Sequence, residues 1–72
     1  MNIQAGLAIY LNGKPHPIEP GARLSDVIAG LGLAGKRIAV ERNGEIVPRS
    51  RHTDTLLAAG DRIEVVAAVG GG

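Results

Sequence analysis

The 72-residue chain has no cysteine, no tryptophan and no phenylalanine, and one tyrosine is its only aromatic residue. Without cysteine it cannot build a disulfide framework, a thiolate zinc site, an iron–sulfur cluster or a cysteine nucleophile. Its two histidines, His16 and His52, are too few for a histidine metal cage. A single aromatic leaves no stacking platform of the kind single-strand nucleic-acid binders use. Eight Lys+Arg against seven Asp+Glu give a net charge of +1, far from the basic surplus that phosphate backbones attract. The reading is therefore no nucleic-acid partner. The apolar runs, such as Leu31 to Ala34 and Val65 to Val69, fall far short of the roughly 20 residues a spanning helix needs. No membrane association is expected, and nothing in Met1 to Gly6 has the charged and apolar regions of a signal peptide, so a cytoplasmic location is expected.

A chain this short fits one small domain, which buries only about 60% of the surface its unfolded form exposes. Little core is left in which to excavate a substrate pocket. The expectation is a non-enzymatic protein, monomeric on its own, with no metal and no intrinsic cofactor.

Leu7 to Leu11 alternates apolar and polar positions and runs into Asn12-Gly13, the dipeptide that best tolerates the positive φ angles of a tight hairpin. A strand is predicted at about 7–11, with a return strand at 14–19 that Pro15 and Pro17 confine to a sheet edge. Leu24, Val27, Ile28 and Leu31 recur with helical spacing, Ser25 and Asp26 suit the positive end of the helix dipole, and Gly32 and Gly35 supply stop signals. Arg37 to Arg42 alternates again, Asn43-Gly44 repeats the hairpin signal, and Glu45 to Val47 returns until Pro48. Arg49 to Gly60 reads as a loop with at most one helical turn, and Asp61 to Val69 as a last strand, with Ile63, Val65 and Ala67 in phase. The predicted core is Ile9, Leu11, Ile18, Leu24, Val27, Ile28, Leu31, Leu33, Ile38, Val40, Leu57, Ile63 and Val65.

The order hairpin, helix, hairpin, strand defines an α+β fold: a mixed sheet of about five strands packed on one helix, the β-grasp arrangement of ubiquitin-like domains. The domain is expected over 1–68, with 69–72 as a flexible tail. Gly70-Gly71-Gly72 follows that last strand directly. Without Cβ atoms such a tail can enter a narrow channel in extended form, and from Ala68 to Gly72 it reaches roughly 17 Å at about 3.4 Å per residue. The reactive group would be the terminal carboxylate. Adenylation would give that carboxylate a leaving group, and a sulfur donor could then produce a thiocarboxylate, a soft nucleophile. The same three glycines also fit a frayed terminus or a cloning scar.

Val40-Glu-Arg-Asn-Gly-Glu-Ile-Val-Pro-Arg-Ser50, then Thr55, Leu57, Gly60-Asp61, Ile63-Glu-Val-Val66 and Val69-Gly-Gly-Gly72, resembles the thiamine-biosynthesis sulfur carrier family, ThiS, from about Ile9 to Gly72. The resemblance implies a β-grasp carrier whose Gly72 is adenylated by an E1-like, ATP-dependent adenylyltransferase. It implies that ATP is consumed by that partner, that a sulfur donor protein supplies the sulfur, and that thiazole synthase receives it. Gly71 and Gly72 match the family's terminal Gly-Gly, and Val69, Gly70 and Gly71 would thread into the partner. Two features depart from the family pattern: Met1 to Ala8 extends past its usual short start, and His52 stands where relatives often carry an aromatic residue. A carrier of the molybdopterin type, a ubiquitin-like modifier conjugated to lysines, and a plain interaction domain remain alternative readings.

Strand phase also predicts a docking patch. If Ile38, Val40, Ile63 and Val65 face the helix, then Ala39, Val66 and Ala68 face outward on neighbouring strands beside the tail. They form either a docking surface or ordinary surface apolarity. Lys36, Arg37, Arg42, Arg49 and Arg51 cluster in sequence, with Glu41 and Glu45 interleaved, and fit either a steering patch for an acidic partner or a solvated mixed-charge face. His52 reads as structural or solvated, or else as a partner contact, and His16 as structural. Asp61 and Glu64 form no catalytic dyad with any defined group.

Overall fold

A computed structural model describes residues 7–67. Strands β1 (Leu7–Leu11) and β2 (Lys14–Ile18) form the first hairpin, and helix α1 (Leu24–Gly30) crosses from it to β3 (Ile38–Arg42). Then follow β4 (Glu45–Ile46), a 3₁₀ turn at Arg49–Arg51 and β5 (Arg62–Ala67). The five strands form one sheet in the order β2-β1-β5-β3-β4. The central β5 runs parallel to β1 and antiparallel to β3, so the sheet is mixed as expected.

Both Asn-Gly dipeptides make the predicted turns, with Asn12 at φ 51° and Asn43 at φ 52°, each followed by a glycine of positive φ. The two-residue loop makes Leu11 and Lys14 a hydrogen-bonded pair, so Tyr10↔Pro15 and Ala8↔Pro17 fall at the alternate positions. The amides that Pro15 and Pro17 lack would point away from β1, toward the open edge. That is why an outer strand tolerates two prolines.

The helix is short and stops cleanly. At its start the Arg23 N–H donates to Asp26 Oδ2 at 2.8 Å; at its end the Gly32 N–H donates to the Ala29 carbonyl and the Leu33 N–H to the Ile28 carbonyl. Those two bonds, with Gly32 at φ 76°, are a Schellman stop. The stop corrects one expectation. Leu31 is the C-cap residue, not a further turn of helix, and it is 39% exposed. Leu33, just past the stop, packs against the core instead.

Ile9, Val40, Ile63 and Val65 from the sheet meet Leu24, Val27 and Ile28 from the helix and Leu57 from the loop. Leu11, Ile18, Leu33 and Ile38 pack around them half-buried, and so does Val47, which strand phase alone did not single out. Ala67 shares the phase of Ile63 and Val65 but is exposed. It pairs with Ile38 in the outermost rung of the β3–β5 ladder.

The turn asparagines also continue the sheet. β1 pairs with β5 over only two rungs, Tyr10↔Arg62 and Leu11↔Ile63, which would leave the next β5 peptide on that side without a partner. The Asn12 side chain supplies one: Val65 N–H donates to Asn12 Oδ1 at 2.9 Å, and Asn12 Nδ2 donates to the Val65 carbonyl at 3.3 Å. On the other side Asn43 N–H donates to the Arg62 carbonyl at 2.7 Å, and Arg62 N–H donates to Asn43 Oδ1 at 2.8 Å. The Asn12 amide stands in for a whole peptide group, one donor and one acceptor, whereas Asn43 pairs with Arg62 through its backbone N–H and its side-chain oxygen. Asn12→Gly, which keeps the turn but removes both side-chain bonds, is expected to lower unfolding free energy by about 1–2 kcal/mol in urea denaturation. An unchanged midpoint would show that the amide contributes nothing.

Candidate functional site

The core lies on one side of the sheet, and the opposite face is open. Ala39 and Val66 are directly opposed Cα partners on β3 and β5, and both are exposed, Val66 at 63%. Two residues of the expected docking patch are thus brought together as strand phase required. Ala68, Val69, Gly70, Gly71 and Gly72 lie outside the described residues. The patch extends further than the sequence reading placed it. Tyr10, exposed between inward Ile9 and Leu11, is on the same face, and so is Ile46, the Cα partner of outward-facing Glu41. Their phase was readable, but only the observed strand order shows that β1 and β4 border the same surface.

Beside the Ala39–Val66 pair, Glu41 and Glu64 also face each other as Cα partners. Like charges directly opposed across a ladder are unfavourable. With Asn43, Gly44 and Arg62 they line a shallow depression of about 510 Å³. This depression holds no nucleophile and no histidine. Among the described residues no group of three or more His, Cys, Asp or Glu could hold a metal ion, and no helix is long and apolar enough to cross a membrane.

Among the described residues Asp61 and His52 are the two buried polar side chains, and each is bonded within the fold. Asp61 Oδ2 accepts from Ala58 N–H at 2.9 Å and from Arg42 Nε at 3.0 Å, while Oδ1 accepts from Asn43 Nδ2 at 3.1 Å. One carboxylate thereby ties the β3–β4 turn to the start of β5. Burial by itself pushes the Asp61 carboxyl up, but the hydrogen bonds from Ala58 and Asn43 and the Arg42 guanidinium outweigh it and hold the pKa below its ordinary value. His52 Nε2 lies 3.1 Å from the Val47 carbonyl; because a carbonyl only accepts, the ring carries its proton on Nε2. The His52 carbonyl in turn accepts from Ser25 N–H at 3.0 Å. His52 fills its buried place as a tie between the second hairpin and the helix start. His16 is half-buried on the edge strand β2.

A mixed five-stranded sheet with one helix packed on one face and the other face open defines a ubiquitin-like β-grasp domain. The family model described as the ThiS family matches residues 9–72. The chain belongs to the ThiS family. It is 39% identical over 64 residues to the sulfur carrier protein ThiS of Thermus thermophilus, covering 89% of this chain and 98% of that one. It is 44% identical over 66 residues to a thiazole synthase of Magnetococcus marinus, covering 92% of this chain but 20% of the synthase. The chain thus spans about a fifth of the length of the thiazole synthases it matches. The crystal structure of a thiamine biosynthesis protein (ThiS) from Geobacter metallireducens superposes with a TM-score of 0.76 at 28% identity, covering 92% of this chain and 100% of that one.

The Asp61 clasp generates a pH prediction with a definite sign. A carboxyl whose folded pKa is depressed contributes stability that is present above its unfolded value, about 3.9, and is lost as pH falls through the folded value. Wild-type stability is therefore expected to fall as pH drops below about 4, and Asp61→Ala to be less stable at pH 7 with a flatter profile over that acid range. Parallel profiles for the two proteins would remove Asp61 from the acid response.

Proposed function

We propose that this chain is a sulfur carrier for the thiazole moiety of thiamine, acting as a substrate passed between enzymes. The observation that carries the reading is the family match running unbroken from β1 through Gly72, on a fold whose central strand leads into that segment. In the proposed cycle the Gly72 carboxylate attacks the α-phosphorus of ATP in an E1-like adenylyltransferase, releasing pyrophosphate and leaving an acyl-adenylate. Sulfide-level sulfur delivered by a sulfur donor protein then attacks the acyl carbon, its C–S bond forming as the C–O bond to AMP breaks, and the product is a terminal thiocarboxylate with AMP released. Val69, Gly70 and Gly71 thread through the partner's channel, where a Cβ would hinder close approach. Ala39, Val66 and Ala68 rest on the partner surface beside that channel.

Thiazole synthase is the proposed acceptor. A segment resembling this chain within polypeptides named thiazole synthase supports this pairing, because fusing two partners raises their effective concentration. The chemistry needs no side chain of this protein: adenylation supplies the leaving group, and the enzymes supply catalysis. The carrier's task is to be recognised and to reach.

Intact mass after incubation with the cognate adenylyltransferase, ATP and a sulfur donor should rise by about 16 Da as oxygen becomes sulfur. Deletion of Gly71 and Gly72 should abolish the gain. No shift with a demonstrably active enzyme would sink the proposal. Val66→Glu, a change on an exposed position, should raise the dissociation constant for the adenylyltransferase roughly tenfold while leaving the circular dichroism spectrum unchanged.

A further inference from the structure

The five cations clustered in sequence are divided by the fold. Arg42 is taken by Asp61 at 3.0 Å and Arg51 by Asp54 at 3.7 Å. Lys36, Arg37 and Arg49 enter no ion pair among the described residues and are exposed. They also share a place. Arg49 reaches across to donate to the Lys36 carbonyl at 2.6 Å, which ties the 3₁₀ turn to the segment entering β3. Arg37 immediately precedes Ile38, and Ile38 is the Cα partner of Ala67 in the last described rung of β5. These three cations therefore sit at the end of the sheet marked by Ala67, the last described residue of β5.

The sign reverses along the same ladder. Glu41, opposed to Glu64, stands four residues beyond Arg37, about 13 Å along the strand at ~3.3 Å per residue. Between the two lies the apolar Ala39–Val66 pair. From the Ala67 end of the sheet toward the β3–β4 turn, a basic cluster is thus followed by the apolar pair and then by a zone in which two glutamates outnumber the exposed Arg62 beside them, a pattern that a net charge of +1 conceals.

We propose that this gradient orients the domain on its partner: Lys36, Arg37 and Arg49 meet a carboxylate-rich rim at the mouth of a protein cleft that receives the tail, while Glu41 and Glu64 meet cations farther out. The partner is a protein surface and not a nucleic acid, because the middle of the gradient is apolar and the chain has a single aromatic residue for stacking. Opposed zones of charge give a docking encounter a direction as well as a rate, since only one orientation aligns both ends. The inference rests on the carrier reading above for the nature of the cleft, and wild-type thiocarboxylation, read by mass, decides that reading separately from the rates below.

The test is the association rate with the cognate adenylyltransferase at low and high ionic strength for Arg37→Glu, Glu64→Lys and Lys14→Glu, the last on the distant edge strand β2. Arg37→Glu and Glu64→Lys shift net charge in opposite directions, yet both are expected to slow association roughly tenfold at low salt, with the difference from wild type shrinking at high salt. Lys14→Glu, with the same charge change as Arg37→Glu, is expected to leave the rate within about twofold of wild type. Faster association of Glu64→Lys, equal slowing by Lys14→Glu and Arg37→Glu, or unchanged rates throughout would each overturn the gradient.

Discussion

Everything in this small domain depends on holding β5 in the middle of the sheet. That strand carries Ile63 and Val65 into the core, separates the two hairpins and leads toward Gly72, yet β1 gives it only two rungs. The missing backbone pairing is supplied by the asparagines of the two hairpin turns, which grip Val65 from one side and Arg62 from the other. Asn is required there for two reasons that coincide. It tolerates the positive φ of the turn, and its amide presents a donor and an acceptor as a peptide group does. Aspartate would satisfy the turn but not the carbonyl of Val65.

The Asp61 clasp reinforces the same strand at its start, joining Arg42 and Asn43 to the loop at Ala58. Ionic and amide contacts are thereby concentrated at the hairpin end of β5, whereas the end near Ala67 has only the ladder with β3. A strand anchored at its beginning leaves its exit free of side-chain ties among the described residues. This polarity suits the proposed carrier role, in which the fold would persist while the chain beyond β5 enters another protein.

Local patterns in the sequence carried both hairpins, the edge position of β2 and the helix face, because each follows from spacing along one segment; the opposed Ala39–Val66 pair needed strand phase together with the β-grasp strand order. Leu31 misled because helical periodicity continues past the point where Gly32 allows a Schellman stop; the pattern marks a face, and hydrogen bonding decides where the face ends. The packing of Val47 and the tie made by Asp61 were not legible, and His52, read as structural or solvated, gave no sign of its partners, for a different reason. Their partners are far apart in sequence or on turns, as when Asp61 meets Arg42 and Asn43 across 19 and 18 positions. The second role of Asn12, spanning 53 positions to Val65, had no local signal beyond the choice of Asn over Gly. Ala68 and the tail lie outside the described residues, so the reading of Gly72 rests on the family match.

The same distinction between local pattern and assembled neighbourhood governs the surface. In sequence, the basic residues and the interleaved glutamates are compatible with a well-mixed charged face. Folding sorts them: Arg42 and Arg51 turn to internal partners, and Lys36, Arg37 and Arg49, in no ion pair among the described residues, gather at the Ala67 end of the sheet. Opposing Glu41 to Glu64 costs stability in a domain with little core to spare. Within this chain Arg62, which lines the same depression, is the cation nearest at hand, and in the proposed complex a partner cation would balance the second glutamate on the face that also presents Ala39 and Val66.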